Sequence, residues 1–247
     1  MAAVTLLETS ALTKNFGGLQ AVRGVDFRLA AGEIRAIIGP NGAGKTTLVG
    51  VISGRIEPTA GTIAFKGRDI TGLRAWERVM RGIVYTFQVT SIYKNLSCYE
   101  NIALAAQRRL MSGLFDRFAL GEPRIAARVE AALSDVGLAG SMDRQADQLP
   151  YGHQRLLEVA MGLALDPELL ILDEPTQGLA QEEISGFCEL IRKISKTATV
   201  LLIEHNMSVV LELAGKITVM DKGAIIAEGS PAEIERHPEV QRAYLGA

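Results

Sequence analysis

The sequence predicts an α/β protein with a mostly parallel sheet, an antiparallel β portion and a helical lobe inserted mid-chain. Three observations predict it. The runs "EIRAIIG", "LLILDE", "TVLLIEH" and "KITVMDKG" are almost continuously apolar, as parallel strands covered on both faces are. "VTLLET", "GVDFRLA" and "TIAFKGRDI", within residues 4–30 and 61–70, alternate instead and read as antiparallel strands. Between Gln88 and Gln154 the strand signals stop, and "CYENIALAAQRRL" and "PRIAARVEAALSDVGL" carry helical spacing. Residues 1–88 and 156–247 are therefore read as the α/β core with its antiparallel portion, and residues 89–155 as the inserted helical lobe.

A chain of 247 residues fits one large domain or a domain carrying such a lobe. Hydrophobic residues at 48% and charged residues at 22% suit a packed globule. A net charge of −2 argues against a general nucleic-acid binder, so no nucleic-acid partner is expected. Cys98 and Cys188 make neither a metal cluster nor a disulfide framework, and read as small buried hydrophobes in a reducing compartment. "MAAVTLLETSALTKNF" has no charged leader followed by a long apolar core. No run reaches the roughly 18 apolar residues that span a bilayer. The richest one is broken by Glu158, Asp166, Pro167 and Glu168. The expectation is a cytoplasmic chain that meets a membrane only through a partner.

"GPNGAGKTT", residues 39–47, matches Gly, four residues, Gly-Lys-Ser/Thr, and lies between the strand "EIRAII" and the helical "TTLVGVISG". Glycines let the backbone wrap a phosphate with its amides turned inward, and the helix N-terminus adds positive potential. Gly39, Asn41, Gly42, Ala43, Gly44, Lys45, Thr46 and Thr47 are the candidate nucleotide contacts of a P-loop NTPase core. Lys45 neutralises the β- and γ-phosphates and the Thr46 hydroxyl ligates Mg²⁺ in this reading, so ATP and Mg²⁺ are the expected cofactors. "LLILDEP" places Asp173 and Glu174 where an apolar strand stops. Asp173 fits the Mg²⁺ carboxylate, and Glu174, one residue on, fits the acceptor of a proton from the attacking water.

At this point the chain resembles the ATP-binding cassette (ABC) transporter ATPases over nearly its full length. "YTFQVTS" looks like that family's Gln loop, with Gln88 near Mg²⁺ at the junction of core and lobe. "LLIEHN" looks like its switch segment, in which His205 contacts the γ-phosphate and holds the attacking water. "TKNFGG" lies where the family stacks an aromatic on adenine, which makes Phe16 the candidate.

The family's Leu-Ser-Gly-Gly-Gln signature caps the ATP held by the opposite subunit. Here that segment reads Leu149, Pro150, Tyr151, Gly152 and His153, so only Leu149 and Gly152 keep the consensus. A helix starting there still presents the amides of Gly152, His153 and Gln154 to a phosphate, and proline is tolerated in a first turn. Ala180 stands where the family has an Asp that crosses the dimer interface.

Tyr151, together with "SIYKNLSCYENIALAAQ" and "EGSPAEIERHPEVQRAYLG", resembles the branched-chain amino-acid importer subgroup. The resemblance implies an ATPase that forms a homodimer, or a heterodimer with a related ABC ATPase subunit. It would drive solute import through membrane permease subunits and, indirectly, a solute-binding protein, from the inner face of the plasma membrane. Urea, amides and aromatic acids are the alternative solutes; a nucleotide-gated soluble ABC protein is the alternative function. Arg74, Arg78 and Arg81 around Trp76, with Arg108, Arg109, Arg117 and Arg124, are candidates for contact with membrane subunits or lipid headgroups.

Overall fold

The computed structural model describes residues 4–86, 91–110 and 121–245, so Gln88 and Arg117 lie outside the described residues. Strands β1 (Thr5–Phe16) and β2 (Leu19–Ala30) form a hairpin closed by Gly17 and Gly18, with Gly17 at φ 57°. Adding β4 (Ala60–Phe65) and β5 (Arg68–Asp69) gives a four-stranded antiparallel sheet in the order β2-β1-β4-β5. The second sheet contains β3 (Ile34–Ile38), β6 (Ile83–Thr86), β7 (Leu169–Asp173), β8 (Thr199–Ile203), β9 (Lys216–Asp221) and β10 (Ala224–Gly229). Its order is β10-β9-β3-β8-β7-β6, parallel throughout except for β10 on β9.

The continuous apolar runs are explained by two cores. Leu169, Ile171, Leu201 and Ile203 face α1 (Lys45–Ile52) and the antiparallel sheet. Leu170, Leu172, Val200 and Leu202 face the opposite way, into a cluster containing Ile102, Val129, Leu133, Leu157 and Phe187. Those five come from α3 (Cys98–Leu110), α4 (Gly121–Asp135), α5 (Tyr151–Ala164) and α6 (Gln181–Ile194). With both faces covered, the interior positions of these two strands are all apolar and polar residues stand only at their ends, Asp173 closing β7 and Thr199 opening β8. Each buried Leu or Ile contributes about 1.5–3 kcal/mol. A third cluster packs α7 (Met207–Leu213), α8 (Pro231–Glu235) and α9 (Pro238–Leu245) near β9 and β10. Both cysteines are buried and free. Among the described residues no helix is long and apolar enough to cross a membrane.

One surface expectation is overturned. Arg78, in α2 (Ala75–Met80), is buried, with 1% of its surface exposed. Its Nη1 donates to the carbonyls of Val51 and Ile52, each at 2.7 Å, its Nη2 to Thr71 O at 2.8 Å and its Nε to Leu73 O at 3.0 Å. Val51 and Ile52 end α1, so the guanidinium caps the C-terminus of the helix that follows the phosphate loop. Burial pulls Arg78 down to about 10, which leaves it charged at neutral pH. Arg108 stacks over the Trp76 ring at 5.3 Å, and Arg109 donates to Met80 O, so these two are held by the chain itself.

Candidate nucleotide-binding and hydrolysis site

The phosphate loop leaves β3 and enters α1 through backbone that only glycine tolerates at two points. Gly39 and Gly44 have φ of 154° and 97°. A Cβ at Gly39 would fall on the Met220 carbonyl oxygen, and one at Gly44 on that of Ala21. The first helical bond runs from Leu48 N–H to Gly44 O, which leaves the amides of Lys45, Thr46 and Thr47 as unpaired first-turn donors. Lys45 Nζ lies inside this curve, donating to Gly39 O at 2.7 Å and Pro40 O at 3.1 Å. Burial lowers the Lys45 pKa, and the nearby carboxylates of Glu174 and Asp173 oppose that shift.

A cavity of about 490 Å³ opens over the loop. Its walls bring together Phe16, Asn41, Gly42, Ala43, Gly44, Lys45, Thr46, Thr47 and Glu174. Phe16, at the tip of the first hairpin, is 47% exposed with the Lys14 ammonium 5.0 Å from its ring centroid, and an exposed aromatic ring can stack against a flat base. Arg23 and Lys222 also line the cavity and were missed by sequence reasoning, since neither sits in a recognisable pattern.

Asp173 ends β7 fully buried. Its Oδ2 accepts the Tyr85 hydroxyl at 2.7 Å, while Oδ1 is buried without a hydrogen-bond partner. Burial raises the Asp173 pKa against the Tyr85 hydrogen bond. An orphaned carboxylate oxygen next to a phosphate loop fits a hard cation, because oxygen ligands and negative charge are what Mg²⁺ requires. Tyr85, on the short β6, is a further site residue that no motif revealed.

Glu174 follows at φ 51°, a left-handed conformation with a cost of order 1 kcal/mol for a residue with a Cβ. Its N–H donates to Ile203 O at 2.9 Å, which docks the turn onto β8. That turn aims Oε2 at His205 Nε2, 3.1 Å away. Two residues 31 positions apart in sequence thus face one another beside the phosphate loop.

The Leu149–His153 segment does not line this cavity. Gly152 and His153 border a separate groove of about 570 Å³ with Leu156, Glu183 and Phe187. Pro150 is the N-cap of α5, outside the helix proper, with no side-chain cap. This shifts the register of free amides: Gln154 N–H is spent on Pro150 O at 3.0 Å, so Tyr151, Gly152 and His153 are the first-turn donors. The expectation that Gln154 presents its amide is corrected accordingly. Its side chain instead donates to Leu149 O at 2.9 Å. Leu149 is buried, whereas Tyr151 and His153 are exposed. Ala180 is the N-cap of α6 and supplies no side-chain acceptor; Glu183 bonds back to its N–H at 2.8 Å. From α5, Arg155 reaches Glu158 at 3.0 Å and the Glu174 carbonyl at 3.4 Å.

Comparison with known proteins places this geometry in a family. A family model described as ABC transporter matches residues 22–177, and one described as branched-chain amino acid ATP-binding cassette transporter matches residues 224–247. The chain is 39% identical to the high-affinity branched-chain amino acid transport ATP-binding protein LivG of Salmonella typhimurium, over 98% of both chains. It is equally similar to BraF of Pseudomonas aeruginosa, a protein of the same description, also at 39% identity over 98% of both. Among solved structures, a nucleotide-free ATP-binding cassette from an ABC transporter superposes with a TM-score of 0.86 at 32% identity, covering 99% of this chain and 100% of that one. The ADP conformation of MJ1267, an ATP-binding cassette of an ABC transporter, gives 0.85 at 30% identity, with the same coverage. With its phosphate loop, acidic strand end and full-length relatives in agreement, the chain belongs to the ABC transporter family, as one of its ATP-binding cassettes.

Proposed function

We propose that this chain is the ATP-hydrolysing subunit of an importer for branched-chain amino acids, acting on the cytoplasmic face of a membrane through separate permease subunits. The observation that carries hydrolysis is that Glu174, which lines the phosphate-loop cavity, lies 3.1 Å from His205. The choice of solute rests on the relatives' described transport and on the similarity of the last two dozen residues.

In this reading Phe16 stacks on adenine, the amides of Gly42–Thr47 and the Lys45 ammonium hold the phosphates, and Gln88 joins Thr46 and Asp173 around Mg²⁺. Bound there, the ion neutralises charge on the β- and γ-phosphate oxygens. Glu174 orients the attacking water and takes its proton, while the His205 imidazole contacts the γ-phosphate. The residues contribute position and a preset field more than covalent chemistry. Residues 89–155 act as the lobe that faces the permease, with Gln88 at its root. Uptake of radiolabelled leucine, urea and phenylalanine into cells lacking the gene, with and without the restored chain, tests the solute. Restored leucine uptake alone supports the proposal; restored urea or phenylalanine uptake without leucine overturns it.

Two such chains, or this chain and a related ATPase subunit, would each cap the other's ATP through the α5 N-terminus. Pro150 then weakens the partner's site, because the consensus Ser would add a hydroxyl donor and its own amide. A hydrogen bond to a charged group is worth about 1.5–3 kcal/mol, roughly ten- to a hundredfold in an equilibrium constant. Pro150→Ser in a Glu174→Gln background is expected to tighten ATP-driven dimerisation by about that factor, with monomer affinity for ATP unchanged. Sedimentation across an ATP titration measures it. No tightening would show that the amides of Tyr151, Gly152 and His153 suffice.

A further inference from the structure

Glu204 precedes His205 at the end of β8 and is buried, with 2% of its surface exposed. An acid in that position is expensive unless every lone pair is used. Here all four are. Oε1 accepts the Thr176 backbone N–H at 3.1 Å and the Thr176 hydroxyl, whose contact is shorter still. Oε2 accepts the backbone N–H of His205 at 2.9 Å and that of Asn206 at 3.1 Å. One carboxylate therefore bolts two loops together: the one that carries Glu174, two residues before Thr176, and the one that carries His205. Asn206 continues the clamp, its side chain capping α7 by accepting from Ser208 N–H at 3.1 Å.

We propose that Glu204 is a positioning residue for ATP hydrolysis, setting the separation of Glu174 and His205 by holding Thr176 with one oxygen and the 205–206 backbone with the other. The inference rests on the assignment of Glu174 and His205 to the hydrolytic site. The four hydrogen bonds that Glu204 accepts run to Thr176, His205 and Asn206, so its hold is on the loops that carry the two site residues. The requirement is for a carboxylate, not merely a polar side chain. Three of the four donors are backbone N–H groups, which cannot turn round to accept. An amide in place of the acid must set its NH₂ against at least one of them. Glu204→Gln therefore breaks one half of the clamp while leaving volume and packing unchanged. Thr176→Val removes the hydroxyl alone and keeps the shape of the side chain.

Steady-state phosphate release by the full chain, alone and as a double-mutant cycle with His205→Ala, tests this. A misplacement of about 1 Å near reacting atoms costs on the order of a hundredfold. Glu204→Gln and Thr176→Val are each expected to lower kcat by about ten- to a hundredfold, with KM and the affinity for a fluorescent ATP analogue within about twofold. In the His205→Ala background the same substitutions are expected to have almost no further effect, since the imidazole they position is gone. Three results overturn the inference. Unchanged kcat in both single variants means the clamp does not matter for turnover. Losses that simply multiply with the His205→Ala loss mean that Glu204 acts on general stability. A His205→Ala protein with undiminished turnover removes the site assignment beneath the inference, and so is distinguishable from the other two.

Discussion

Replacing Glu174 by Gln is expected to leave ATP binding intact and to lower turnover by about a hundred- to ten-thousandfold, the usual contribution of a positioned proton acceptor. The substitution is close to isosteric, and any residue with a Cβ meets the same left-handed backbone at φ 51°, so the turn that presents the side chain is preserved. The carboxamide still reaches the His205 ring, 3.1 Å from the present Oε2, but it cannot take a proton from water. The loss therefore falls in kcat and not in KM, the pattern of an interaction used only in the transition state. Phosphate release by protein freed of contaminating ATPase, with nucleotide affinity measured in parallel, decides the matter. Turnover within a factor of a few of the parent protein would sink the assignment of Glu174.

A second large effect is expected at Arg78, far from the reacting atoms. Arg78→Met keeps the apolar stem and removes donors from the carbonyls of Val51, Ile52, Thr71 and Leu73. Each buried polar group left without a partner costs about 1–3 kcal/mol, and partial rearrangement recovers some of it. A net loss of about 3 kcal/mol or more is expected. For a chain of this size that lowers Tm by roughly 6–12 °C. Arg78→Lys is expected to fall between the two proteins, because a single ammonium cannot span four acceptors arranged for a planar fork. Thermal and urea unfolding measure both variants. A Met variant that melts with the parent would show that water replaces the guanidinium without penalty.

How much of this was legible in the sequence depended on how local the constraint is. The phosphate loop was fully legible, because its glycines, lysine and threonine are contiguous and the strand and helix that hold it are its immediate neighbours. The Asp173 and Glu174 pair was legible for the same reason. Arg78 was misread because α2 is six residues long, too short for periodicity to reveal which face is buried. Tyr85 and Asp173 meet across 88 positions and Thr176 and Glu204 across 28, so nothing in either local pattern announces the contact. β6, at four residues, passed unread for want of enough residues to establish a pattern, and β10, "AIIAEG", because its apolar and polar residues do not alternate. At Gln154 the error was a single step of register. Whether proline stands inside the helix or just ahead of it decides which amide is spent, and composition does not fix that step.

The second core has a consequence for how the molecule can move and melt. Ile102, Val129 and Leu133 of the lobe helices belong to the same apolar cluster as Leu170, Leu172, Val200 and Leu202 of the central sheet, with Leu157 of α5 between them. Among the described residues these side chains form one continuous apolar cluster that runs from the lobe helices to the sheet. A displacement of the lobe must therefore slide packed side chains past one another, as in a shear, and cannot swing about an empty joint. The same continuity makes the lobe and the sheet thermodynamically one body. Neither can open without wetting the other, and calorimetry should record a single heat-absorption peak for the whole chain.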